Sequence, residues 1–164
     1  MKLLRSLIGL AVSMGLCFGA GFLGSVFTTP SIPTWYAGLA KPSWTPPAWI
    51  FGPAWSVLYG MMALALWLIW RRGGVAMAKV PIVLFMVQLV LNVLWSLLFF
   101  GLRMPGVAFA EIVLLWLAIL ATMITFWRLN STAGLLLFPY LIWTAFAGAL
   151  NFALWHMNAG SMGN

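Results

Sequence analysis

Residues Pro81–Leu102 read PIVLFMVQLVLNVLWSLLFFGL, a run without a single charge. A helix rises 1.5 Å per residue, so roughly 20 such residues cross a hydrocarbon core about 30 Å thick. The run does not alternate polar and apolar at every second residue, as a barrel strand must. It therefore predicts a membrane-crossing helix. Four runs of the same character surround it: Leu7–Phe27, Ala48–Trp70, Val107–Phe126 and Ala133–Trp155. The fold class that follows is an all-α integral membrane protein, a bundle of five transmembrane helices. Residues 1–158 form one domain, and 159–164 are expected to be a short flexible tail.

Composition excludes the main alternatives. The chain has 164 residues, of which 65% are hydrophobic and 5% charged, and Glu111 is its one acid. A soluble domain carries about 25% charged residues, so a water-facing surface cannot be assembled here. A disordered chain needs low hydrophobicity. The net charge of +7 would suggest nucleic acid in a soluble protein. Here the basic residues stand singly or in pairs at the ends of apolar runs, where they read as loop charge. The lone Cys17 excludes an internal disulfide and a paired-cysteine metal site, and no metal site is expected.

The first run, behind Lys2 and Arg5, also resembles a signal peptide with small residues at Gly19-Ala20-Gly21. It stays apolar through Phe27, which favours a retained helix. Five spans put the ends of the bundle on opposite sides. The N-terminal side collects Lys2, Arg5, Arg71, Arg72, Lys79 and Arg128, against Lys41 and Arg103 on the other. By the positive-inside rule the N-terminus is cytoplasmic and the first loop extracytoplasmic, in a bacterial cell membrane. The three later connections are short and favour adjacent antiparallel helices.

The first connection, 28–47, is different. It contains Pro30, Pro33, Pro42, Pro46 and Pro47 together with Trp35, Tyr36 and Trp44. A long loop of this kind is functional or disordered, and proline with aromatics suggests an ordered lid. The competing reading is an interfacial anchor.

Polar and aromatic residues converge below that loop. Counting 1.5 Å per residue from the loop side puts Trp55 and Trp95 at roughly 10 Å depth, Asn92 at about 15 Å, Ala147 at about 12 Å and Trp143 at about 18 Å. Asn151 and Glu111 fall at about 6 Å. Gln88, Asn92, Trp95 and Phe99 share one helix stripe, as do Tyr140, Trp143, Ala147 and Asn151. Amides in hydrocarbon need partners, so both stripes should face inward, either as interhelical glue or as the wall of a pocket. The 11 Trp residues divide accordingly. Trp49, Trp70, Trp127 and Trp155 lie near run ends as interface anchors. Trp55, Trp95, Trp116 and Trp143 lie deeper and offer flat walls to a planar apolar ligand.

Glu111 is expected to pair with Arg103 or with a loop group such as Lys41. His156, the only histidine, reads as interfacial rather than as an axial haem ligand. Gly9, Ser13, Cys17, Gly21 and Ser25, with Gly15-x-x-x-Gly19, form small-residue stripes, and Gly52, Ser56 and Gly60 form another. These mark packing seams within the bundle or between subunits. No phosphate loop, carboxylate pair or nucleophile elbow is present.

Longer motifs add a resemblance. Trp35-Tyr36-Ala-Gly-Leu-Ala-Lys41-Pro42-Ser43-Trp44-Thr45-Pro46-Pro47 closely resembles the first-loop signature of the TspO/translocator protein family, the tryptophan-rich sensory proteins related to the peripheral benzodiazepine receptor. The likeness continues through Gly52-Pro53-Ala54-Trp55, Leu58-Tyr59-Gly60, Asn92-Val93-Leu94-Trp95-Ser96, Phe99-Phe100-Gly101, Pro139–Ala145 and Leu150-Asn151-Phe152. It implies a five-helix bundle, commonly dimeric, that binds porphyrins such as protoporphyrin IX as ligands and needs no cofactor. The implied pocket comprises Tyr36, Pro46, Trp55, Asn92, Trp95, Trp143 and Ala147, to which the depth reading adds Asn151. Sterol-like ligands are a further implication. The animal sterol pattern, however, needs a basic residue shortly after Tyr140, and Leu-Ile-Trp-Thr-Ala stands there instead. Three functions are compatible: a membrane receptor or sensor for tetrapyrroles; an enzyme degrading porphyrin in light and oxygen through Trp55 and Trp143; and a porphyrin or lipid carrier.

Overall fold

The computed structural model describes residues 2–72 and 78–160, so the tail expected at 159–164 lies mostly outside the described residues. Among the described residues, five helices are long and apolar enough to cross a membrane. They are α1 (Lys2–Ser31), α2 (Phe51–Arg71), α3 (Lys79–Ser96), α4 (Pro105–Leu129) and α5 (Ser131–Asn158). No strand occurs among the described residues. The all-α, five-helix membrane fold expected from the apolar runs is the one observed.

The largest departure lies at the first connection. Helical structure does not stop before Pro30. α1 runs through it, then continues as a turn of π-helix over Ile32–Tyr36. Proline removes a backbone donor and normally breaks a helix. In an apolar surround the chain instead keeps its remaining hydrogen bonds by local π adjustment and hydroxyl back-bonding. Here Thr34 Oγ1 donates to Pro30 O (2.8 Å) and Thr28 Oγ1 to Gly24 O (3.0 Å). The irregular part of the expected 28–47 loop is therefore only its second half. A second π-turn, Leu97–Gly101, extends α3 and ends where Arg103 adopts a positive φ of 57°.

Neighbour relations close into a ring in the order α1, α2, α5, α4, α3 and back to α1. This corrects the expectation that a short connection makes α2 and α3 adjacent. α1 separates them, because its small residues let both partners approach. Ser13 and Cys17 are buried, and a Cβ built on Gly9 would lie 2.6 Å from the Trp70 ring of α2. Trp67 Nε1 donates to Ser6 O at 2.9 Å on the same seam. Toward the other end α1 turns to α3: Gly24 abuts Ser96, Phe27 abuts Gly101, and Ser31 Oγ donates to Phe100 O at 2.8 Å. Gly15 and Gly19 face outward, with nothing within 4 Å of an added Cβ.

α4 and α5 form a tight hairpin. Asn130 leaves helical geometry at φ −155°, and its Oδ1 accepts from Thr132 N (3.0 Å) and Ala133 N (3.4 Å), capping α5.

Gly21 is the close contact nearest the interior. A Cβ there would sit 2.7 Å from the Tyr59 ring. That ring cannot swing aside freely, because its hydroxyl is hydrogen-bonded to Asn92. Gly21→Val is expected to destabilise the bundle by about 1–3 kcal/mol, as overpacking does. Thermal unfolding in detergent checks this; an unchanged midpoint would show that α1 can shift away.

Candidate functional site: an aromatic cavity between α1, α2, α3 and α5

One cavity, of about 430 Å³, lies toward the first-connection end of the bundle. Its floor comes from α3 with its π-turn (Asn92, Trp95, Phe99, Phe100) and from α5 (Ala147, Asn151). Its side comes from α2 (Phe51, Trp55, Tyr59), and its roof from Ile32 and Tyr36 in the π-turn after α1. Of the expected ligand-binding residues, Tyr36, Trp55, Asn92, Trp95, Ala147 and Asn151 line this one space. Pro46 does not. It lines a separate recess with Tyr36, Lys41 and Thr45. Trp143 stands one ring behind the wall, 6.1 Å from Phe51 and 5.6 Å from Phe146. Trp116 is likewise absent from the lining, so only two of the four deep tryptophans reach the cavity.

The segment expected as a lid runs elsewhere. Ala40 N donates to Asn158 Oδ1 (2.9 Å), and Asn158 Nδ2 donates back to Ala40 O (2.9 Å). Four residues on, the Trp44 ring lies 5.8 Å from Phe146. Asn158 and Phe146 are about 18 Å apart along α5. Residues 39–47 are thus a strap descending along α5, and none of them lines the cavity.

Asn92 and Asn151 both act between helices. Asn92 Oδ1 accepts from the Tyr59 hydroxyl, and Asn92 Nδ2 donates to Tyr140 Oη at 3.0 Å, tying α2, α3 and α5 together. Asn151 Oδ1 accepts from Trp95 Nε1 (3.0 Å), and Asn151 Nδ2 donates to Pro105 O (2.7 Å), tying α3, α5 and α4. The interhelical-glue and pocket readings are therefore both realised in the same side chains. The bonds also set the rings: Trp95 is held by Asn151 while stacking on Phe99 at 5.4 Å, and Trp55 lies 5.8 Å from Tyr59. Aromatic pairs of this kind contribute about 0.5–1.5 kcal/mol each beyond burial, which makes the wall stiff.

At the roof of the lining the Tyr36 hydroxyl is buried without a hydrogen-bond partner. Burial pushes this phenol above its ordinary pKa, so it stays an O–H donor at neutral pH. Lys41 Nζ sits 4.8 Å from the Tyr36 ring centroid and donates to Ala37 O and Leu39 O, both at 3.1 Å. That arrangement explains why Lys41 does not reach Glu111. Glu111 is buried, and neither of its oxygens has a hydrogen-bond partner; Arg103, the other expected partner, is exposed on the turn before α4. His156 is exposed, packed on Phe152 at 4.0 Å and away from the cavity lining.

Sequence spacing missed the α1 contribution. Phe18, Phe22, Ser25 and Thr29 all line the cavity, yet in the sequence Ser25 reads only as part of a packing stripe, Thr29 as part of the first connection, and the two phenylalanines carry no signal. Phe100 was legible only within a family motif. It joins Phe99 in the lining because the π-turn, which has no spacing signature, inserts an extra residue into that turn of helix.

The fold and the cavity together define a class: a five-helix membrane protein built around an internal aromatic chamber. Residues 13–156 match the TspO/MBR family. The chain is 43% identical over 158 residues to the tryptophan-rich protein TspO of Chlorobaculum tepidum, covering 94% of this chain and 98% of that one. It is 44% identical over 154 residues to its counterpart in Archaeoglobus fulgidus, with 94% and 99% covered. It is 41% identical over 144 residues to the human translocator protein, with 87% and 85% covered. The chain belongs to the TspO/MBR family.

Proposed function

We propose that this protein is a membrane receptor or sensor for porphyrins of the protoporphyrin IX type, held in the chamber between α1, α2, α3 and α5. The observation that carries the reading is the lining itself. A volume of about 430 Å³ falls within the range of small-molecule sites. Its walls are the faces of Trp55, Trp95 and Phe99, with the Tyr36 hydroxyl buried and unpartnered at the roof. Few polar groups on apolar walls suit a flat macrocycle with a polar edge. The propionates would turn toward the roof, where the Tyr36 hydroxyl can donate a hydrogen bond. In this reading the N-terminus is cytoplasmic, the roof faces the extracytoplasmic side of a bacterial membrane, and the protein works as a homodimer.

The test is a titration of the purified protein with protoporphyrin IX in the dark, followed by tryptophan fluorescence. Saturable quenching that weakens about tenfold in Trp55→Ala, a loss of about 1.4 kcal/mol, supports the reading. Non-saturable quenching, or the same affinity in Trp55→Ala, overturns it. Illuminating the complex separates binding from turnover. Bleaching of the porphyrin that disappears in Trp55→Phe, with binding kept, identifies a photooxidative enzyme, since Trp55 is the indole placed to touch the ring on the α2 side.

A further inference from the structure

The chamber is open on the side of α1 and α2. Every residue that α3, its π-turn and α5 contribute to the lining is buried. The lining residues from α1 and α2 are different: Phe18, Phe22, Ser25, Thr29, Gly52 and Ser56 are all exposed, Phe22 at 69%. These six form the two lips of a slot between α1 and α2, on the lateral surface of the bundle.

The slot follows from how α1 packs. Its close approaches to α2 are at Ser6, Gly9 and Gly21. Beyond Gly21 its contacts pass to α3, through Gly24, Phe27 and Ser31. α1 therefore leans away from the start of α2. A Cβ added at Gly52 meets nothing within 4 Å, as expected of a residue at a mouth. The lips are chemically suited to lipid. Ser25 Oγ donates to Phe22 O (2.7 Å) and Ser56 Oγ to Gly52 O (2.9 Å), so both hydroxyls are satisfied within their own helices. Apart from the Thr29 hydroxyl, the faces left at the mouth are phenyl rings and aliphatic carbon.

We propose that the ligand of this chamber enters and leaves sideways, from the acyl-chain region of the leaflet on the first-connection side, through the slot between α1 and α2. The inference rests on the proposed porphyrin reading for the identity of the ligand, though not for the slot. It restricts the ligand class: a compound must partition into the bilayer before it can reach Trp55. It also removes the strap from the path. Residues 39–47 do not line the chamber, and the Ala40–Asn158 bonds hold them along α5.

The experiment compares binding kinetics in proteoliposomes, with protoporphyrin IX delivered from separate vesicles and quenching followed by stopped flow. Gly52→Leu narrows the mouth without a clash, and Asn158→Ala releases the strap. The expected result for Gly52→Leu is association and dissociation both slowed about tenfold, as for a narrowed route. Asn158→Ala should associate at the parental rate. Wild-type rates in Gly52→Leu, or faster dissociation from it, overturn the proposal, as does faster association in Asn158→Ala. If the unmodified protein shows no saturable quenching, the porphyrin reading has failed, and the slot is judged by a spin label at Gly52→Cys in a Cys17→Ala background. Relaxation by oxygen, which concentrates among acyl chains, supports a lipid-open slot. Relaxation by a water-soluble nickel chelate overturns it.

Discussion

Asn92→Leu is expected to lower the stability of the bundle by about 2–4 kcal/mol, the largest effect of any single polar replacement in the structure. Leucine keeps the branched heavy-atom skeleton of asparagine, so the change chiefly removes hydrogen bonding, and the somewhat larger methyl groups can extend into the adjoining chamber. Two bonds are lost, to Tyr59 and Tyr140. Both hydroxyls are then left in a buried apolar setting, Tyr140 being 0% exposed. Interhelical hydrogen bonds in membranes are individually modest, about 0.6 kcal/mol on average, because the unfolded chain in lipid also finds partners. The expected size here comes from orphaning two groups at once. Unfolding in detergent by heat or denaturant measures it. Tyr59→Phe should cost less, about 1 kcal/mol, since one bond is lost and the donor leaves with it. An Asn92→Leu protein as stable as the parent would mean that the Tyr59–Asn92–Tyr140 chain does not hold α2, α3 and α5 together.

Ala147→Phe is expected to abolish most ligand binding while leaving the fold nearly unchanged. Ala147 is 8% exposed and faces the chamber floor. Because Ala147 lines the chamber, a larger side chain can extend into that space, and the overpacking penalty should stay below about 1 kcal/mol. The same ring occupies the volume a planar ligand needs. Protoporphyrin IX affinity should fall about 100-fold, equivalent to about 2.7 kcal/mol. Saturable quenching and the thermal midpoint, measured on the same preparation, separate the two effects. Undiminished affinity in a folded Ala147→Phe protein would place the ligand elsewhere. Pro46→Ala is the matched comparison. Pro46 lines the recess beside the strap, and its replacement should change affinity by less than about threefold.

Much of the site could be read from the chain because membrane solvation makes polar residues informative. Nine charged residues in 164 leave few ways to satisfy an amide in hydrocarbon. The stripe Gln88, Asn92, Trp95, Phe99 is buried along its whole length, as helical period demanded. Asn151 on α5 meets Trp95 on α3, although the depths counted from the loop side differ by about 4 Å. The reading of Trp143 shows where that reasoning stops. Depth and face put it beside Ala147, and both statements hold along α5. Whether a ring faces the chamber or stands behind Phe51 depends on how far α2 is shifted along α5, and no one-dimensional pattern encodes that offset. The pairing expected for Glu111 failed for a related reason. Sequence proximity to Arg103 and a position one turn below the loop say nothing about which groups Lys41 finds first, and it finds the carbonyls of Ala37 and Leu39.

The first connection makes the same point. Five prolines between Thr28 and Pro47 read as a break from helix, which is correct for a chain in water. In an apolar surround an unpaired backbone group costs more than a π-turn, so α1 continues past Pro30 and Pro33 and carries Tyr36 to the roof.

The sequence alone determined the solvent, the number of spans, the inward faces of α3 and α5, and the family. Each of these is set by local composition and period, because a helix in lipid must satisfy its own backbone and hide its own polar side chains. Tertiary structure alone decided that α1 stands between α2 and α3, that the strap lies along α5, that two of the four deep tryptophans reach the chamber, and that the chamber opens between α1 and α2. Those features depend on how far one helix slides and leans against another. That displacement is settled by contacts such as Gly21 on Tyr59 and Ser31 on Phe100, between residues far apart in the chain.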